Sequence, residues 1–111
     1  MPMFKLERRR RGMKTFAPTV SFIVPLSNKE QTVANCAEKL FNYASRHDEF
    51  VEIFLVDNGS QDQTYEIAYA AIEVNKRKFP RLRAKLIRLT EKLGISEIIE
   101  LCSRCPRAED S

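Results

Sequence analysis

Short apolar runs alternate along this chain with longer segments whose apolar residues recur at helical spacing. Residues 20–24 read Val-Ser-Phe-Ile-Val, with Pro25 closing the run. So dense a β-branched and apolar stretch predicts a strand buried on both faces, as in parallel sheets. Ser27 stands three residues before Glu30, the spacing of a capping box that satisfies the first free amides of a helix. Val33, Ala37, Leu40, Phe41 and Ala44 then mark one apolar helical face running to about Arg46.

The cycle repeats. Residues 50–56 form a second apolar run that ends at Asp57-Asn58-Gly59-Ser60, and Ser60 with Gln63 offers a second capping box. A helix is predicted over about 61–77, burying Ile67, Ala68, Ala71, Ile72 and Val74. Phe79-Pro80 breaks it. Residues 82–89 predict a third strand, whose Arg83, Lys85 and Arg88 place it at a sheet edge, where charge blocks stray pairing. A last helix over about 90–102 carries Leu93, Ile95, Ile98, Ile99 and Cys102 on one face. The expected fold is α/β: a three-layer, Rossmann-like β-α-β-α-β-α half-domain with a three-stranded parallel sheet and right-handed crossovers. The first strand, left without a neighbour on one side, would form an exposed apolar edge.

Composition adds the boundaries. The 111 residues suit one domain. No apolar run approaches the roughly 20 residues of a membrane-spanning helix. The formal charge of +4 sits in the first 14 residues, where Lys5, Arg8, Arg9, Arg10, Arg11 and Lys14 face only Glu7, so the remainder sums to −1. Residues 1–18 therefore read as a disordered basic arm, 19–103 as the folded unit and 104–111 as a frayed tail. A near-neutral folded unit argues against nucleic-acid binding, which usually places its positive stripe on the folded surface. Arg8 to Arg11 suit first a solvated arm, and beyond that contact with acidic lipid or nonspecific phosphate contacts with nucleic acid. No apolar stretch follows it, so it is not a secretory signal. Three cysteines without framework spacing fit a reducing, cytoplasmic setting, at most peripheral to a membrane. Cys102 reads as a packed residue and Cys105 as incidental, since a structural zinc site needs four ligands. His47 reads as a solvated connector.

Candidate chemistry lies in two loops, because ligands of open parallel sheets sit beyond the carboxyl ends of the strands. One loop is Pro25-Leu26-Ser27-Asn28 and the other Asp57-Asn58-Gly59-Ser60. Each leads into a helix N-terminus that favours an anion such as phosphate. The second loop is equally good turn chemistry, so a structural turn and a ligand loop stand level on the residues alone.

Residues 20–30, followed by Val56-Asp57-Asn58-Gly59-Ser60-Gln61-Asp62-Gln63-Thr64, resemble the opening of family 2 glycosyltransferases, which have the GT-A fold and include the dolichyl-phosphate sugar synthases. The second motif matches V-D-[DN]-G-S-x-D-x-T at every defined position, and the resemblance spans roughly residues 19–94. It implies that Pro25, Ser27, Asn28, Asp57, Asn58, Gly59 and Ser60 hold the nucleotide of a UDP- or GDP-type nucleotide sugar. Ser27 stands where the family has an aromatic residue, and Lys29 where it has an acid. The glycines after the third strand are replaced by Ile95-Ser96-Glu97, and no D-x-D pair occurs. In the family that pair holds the divalent metal on the diphosphate, so Mg or Mn is implied only with a partner subunit that supplies it. The expectation is a donor-binding module with no catalytic residues or cofactor of its own, inactive alone and homodimeric. The alternative is a noncatalytic interaction or regulatory protein that keeps the half-fold.

Overall fold

A computed structural model of the chain describes residues 3–8, 19–47 and 50–104. Two parallel strands form its centre, β2 (Thr19–Leu26) and β3 (Phe50–Asn58), with Ile23 opposite Phe54 and Leu26 opposite Asp57. β4 (Arg83–Leu89) extends the parallel pairing beyond β3 and is an edge strand, as its charges predict. The second edge is β1 (Phe4–Arg8), antiparallel to β2 with Phe4 opposite Ile23 and Leu6 opposite Ser21.

β1 corrects the expected topology. Among the described residues the sheet has four strands and is mixed rather than three-stranded and parallel, and residues 4–8 of the expected arm belong to it. Residues 1–2 and 9–18, with Arg9 to Arg11, lie outside the described residues. Phe4 and Leu6 turn to the apolar core while Lys5 and Glu7 face solvent, a period-two strand pattern set among charges. β1 also pairs the backbone edge that β2 would otherwise expose, so the expected apolar edge at β2 is covered.

Because strand side chains alternate, the sheet serves two separate cores. Val20, Phe22, Val24, Leu26, Val51, Ile53 and Leu55 point to one face, under α1 (Val33–Ala44) and α2 (Thr64–Lys78). Ile23, Phe54 and Val56 point to the other, under α3 (Ile95–Arg104), which contributes Ile98 and Cys102. The three-layer arrangement is as expected. All three helices begin later than the sequence pattern suggests, because the segments 27–32, 59–63 and 90–94 are spent on loop contacts.

Two side-chain placements differ from expectation. Val74 is exposed and Asn75 is buried in its stead, its amide donating to the Ala71 carbonyl at 2.8 Å. Ala68, Ala71, Ile72 and Asn75 form the buried stripe of α2, and Val74 lies on its margin, one residue out of phase. Ile95 leads α3 and is exposed, while Ile98 and Cys102 do the burying.

Candidate functional site

Both candidate loops lie at the carboxyl ends of β2 and β3, held side by side by parallel pairing to the last residues of each strand. Asn28 takes a left-handed conformation (φ 52°) and Gly59 another (φ 70°), so both chains turn sharply as they leave the sheet. Asn tolerates this region through its short polar side chain and Gly through its missing Cβ.

The expected capping boxes do not form within their own helices. The first residues of α1 and α2 are preceded by Thr32 and Gln63, neither of which caps with its side chain. Instead the loops cap each other. The Asn28 amide donates to the Ser60 hydroxyl at 2.9 Å, and the Asn28 side-chain oxygen accepts the Gln61 amide at 2.9 Å. The Lys29 amide donates to the Thr64 hydroxyl at 2.7 Å. The Glu30 amide donates to Asp62 Oδ2 at 3.3 Å, while Glu30 Oε2 accepts the Gln63 amide at 3.1 Å. Five hydrogen bonds thus cross between segments more than thirty residues apart in sequence. Of the expected capping residues Ser60 and Glu30 accept amides, but on the neighbouring loop, and Asn28, Asp62 and Thr64 supply the other acceptors.

Asp62 and Thr64 form the inner part of this joint. Asp62 Oδ1 accepts both the amide and the hydroxyl of Thr64, and Thr64 is fully buried. The Thr64 hydroxyl, with amides of Thr64 and Glu30, holds the Asp62 carboxyl below its ordinary pKa.

The second loop is also fastened to the segment after β4. Asn58 makes two bonds to one residue: its amide donates to the Leu93 carbonyl at 3.0 Å, and its oxygen accepts the Leu93 amide at 2.8 Å. Gly59 packs nearby, where an added Cβ would stand 3.3 Å from Lys92 Cγ. Asp57 is buried at 1% exposure, accepts the Ser60 amide at 3.2 Å and lies 3.9 Å from Arg88 Nε. The Arg88 guanidinium in turn sits 4.6 Å above the Tyr65 ring.

The seven residues expected to bind nucleotide therefore gather at one end of the sheet, with unequal freedom. Pro25 lies within the last residues of β2 and Ser27 just beyond it, both half-buried. Asn28 and Ser60 are joined to each other, Asn58 is committed to Leu93, and Asp57 lies beneath them. A polar cavity of about 300 Å³ opens beside the joint, lined by Asn28, Lys29, Glu30, Gln31, Thr32 and Asp62. Glu30, Asp62, Thr64 and Arg88 were not among the expected site residues. Asp62 and Thr64 had a signal, since both are defined positions of the second motif. Among the described residues, no three His, Cys, Asp or Glu side chains converge as a metal site requires.

Other candidates are placed as follows. His47 is half-buried with its ring edge-on to Phe22 (5.4 Å) and Tyr43 (4.9 Å), a packing position rather than a solvated one. Cys102 is buried in the core, and Cys105 lies outside the described residues. No helix among the described residues is long and apolar enough to cross a membrane.

A family model described as glycosyl transferase family 2 matches residues 21–99. That span covers both crossed loops, the Leu93 clamp and the first half of α3. No curated protein and no solved structure matches the chain.

Proposed function

The chain belongs to glycosyl transferase family 2, and from that premise we propose that its crossed loops form a donor-side half-site for the nucleotide part of a nucleotide sugar. The observation that carries this reading is the polar cavity beside the joint, walled by Asn28 to Thr32 and by Asp62. Lys29 and the α1 N-terminus, which has no side-chain cap, border that cavity. The lysine favours a bound anion by its charge and the helix end by its dipole, while the Thr32 and Val33 amides are taken by the Lys29 carbonyl and Glu30 and Asp62 line the same cavity. The hydrogen bonds between the loops supply rigidity, so a ligand meets groups that are already ordered.

The metal-bound form of the family's chemistry does not fit these residues. Asp57 is buried and held by Ser60 and Arg88, while Glu30 and Asp62 accept main-chain amides of the opposite loop. Among the described residues no carboxylate pair is left at this site to hold a divalent ion on a diphosphate. On this reading the module binds the donor, and a partner subunit brings the acidic pair that transfer requires.

A second reading is favoured by the same commitments. If Glu30, Asn58, Asp62 and Thr64 serve only to join loops, the half-fold is a noncatalytic interaction or regulatory protein. Titration with UDP, GDP and their sugar conjugates, with and without Mn²⁺, separates the two through backbone amide shifts. The donor reading expects saturable shifts clustered at residues 28–32 and Asp62, which wall the cavity, with weaker ones in the adjoining loop 57–60, and weaker binding in Lys29→Ala. Unchanged spectra at millimolar ligand overturn it in favour of the second.

A further inference from the structure

Among the described residues no strand lies beyond β1, so the sheet ends on one row of backbone groups. Such an edge is a template for pairing with another chain. Its sequence, Phe-Lys-Leu-Glu-Arg, has a further property. Lys5 and Glu7 lie two residues apart on the same exposed face of the sheet, flanking Leu6.

We propose that β1 pairs antiparallel with β1 of a second copy of this chain, in the register centred on Leu6. In that register Leu6 faces its own copy across a two-fold axis, and Lys5 of each copy stands opposite Glu7 of the other. Two opposite-charge pairs form at once, each the kind of directly facing pair that stabilises a sheet. The neighbouring registers that keep the faces matched are disfavoured. A shift one way sets Lys5 against Lys5, and a shift the other way sets Glu7 against Glu7, both like-charge contacts. The strand is therefore self-complementary in one alignment, and the charges that would repel an arbitrary strand select its own copy.

The product is a continuous eight-stranded sheet. β2 runs antiparallel to β1, so the two copies of β2 run in opposite directions across the axis. Their carboxyl ends, with the crossed loops, open at opposite ends of the joined sheet. The dimer consequently leaves both candidate nucleotide sites uncovered, and its existence is independent of what they bind. A five-residue strand pair is a small interface, so the association belongs in the weak class.

Sedimentation velocity of the full chain, from micromolar to millimolar concentration, tests the pairing. The expected result is a reversible rise from the 12.9 kDa monomer toward twice that mass. Lys5→Glu and Glu7→Lys should each weaken association roughly tenfold or more, because each turns both facing pairs from attractive to repulsive. Mixing the two single variants should restore association as a heterodimer, and the double exchange K5E/E7K should restore the homodimer. Both side chains are exposed, so circular dichroism should show every variant folded. A wild-type chain that stays monomeric throughout, or single variants that associate as well as wild type, overturns the proposal. Failure of the mixed variants or of the double exchange to recover association overturns the register.

Discussion

The main-chain amide of Asn28 donates to the Ser60 hydroxyl at 2.9 Å, while the Asn28 side chain accepts the amide of Gln61, the residue that follows Ser60. Each loop therefore supplies what the other lacks at the start of its helix. The joint is reciprocal, and it depends on β2 and β3 ending level with each other.

Thr64 should be the most sensitive residue of the joint. Its buried hydroxyl accepts the Lys29 amide and donates to Asp62, so Thr64→Val keeps the shape and removes both functions. Urea unfolding should show a loss of about 1–3 kcal/mol. Ser60→Ala, which removes a solvent-exposed bond, should cost about 1 kcal/mol or less.

Asp62 should make the joint acid-labile. Its carboxyl is held below the ordinary value, first by the Thr64 hydroxyl and then by main-chain amides. A depressed folded pKa means that its stabilisation is fully present above the unfolded value, about 3.9, and is lost as pH falls through the lower folded value. Asp62→Asn should flatten that part of the profile. The check is the urea midpoint of both proteins, measured stepwise from neutral pH into this acid window.

Asn58 should act as a clamp on the segment before α3. Asn58→Ala removes both bonds to Leu93 and should cost about 1–2 kcal/mol. Hydrogen exchange at the Leu93 amide should quicken in step. Asn58→Asp keeps the acceptor for that amide and loses the donor to the carbonyl, so its exchange rate should fall between those of wild type and Asn58→Ala.

Gly59→Ala should destabilise the protein by about 1–2 kcal/mol, through a left-handed backbone more than through crowding. The nearest atom to the added Cβ is Lys92 Cγ at 3.3 Å, on a flexible side chain that can yield. Thermal unfolding of Gly59→Ala and of Gly59→Asn tests this, with Asn expected to be the milder change because it accepts positive φ.

The three parallel strands, the three helices and the two loops were legible because their signals are local. Dense β-branched runs, apolar residues at helical spacing and a specific Asp-Asn-Gly-Ser-x-Asp-x-Thr motif each lie within a few residues of one another. β1 escaped notice since only Phe4 and Leu6 mark it, within a strongly charged stretch. Val74 and Asn75 were exchanged in burial because a shift of one residue around a helix moves a side chain by about 100°.

The sequence alone determined the element types, the central strand pair and the positions of the polar loops, because hydrophobic period and turn chemistry act over one or two turns of chain. It also supplied capping residues of the right kinds at Ser60 and Glu30. Only the tertiary structure decided which amides those side chains serve, and that a fourth strand closes one side of β2. The physical reason is register. Partners 32 to 35 residues apart come within hydrogen-bonding distance only after the strands have paired, and no local pattern records which loop will stand beside which.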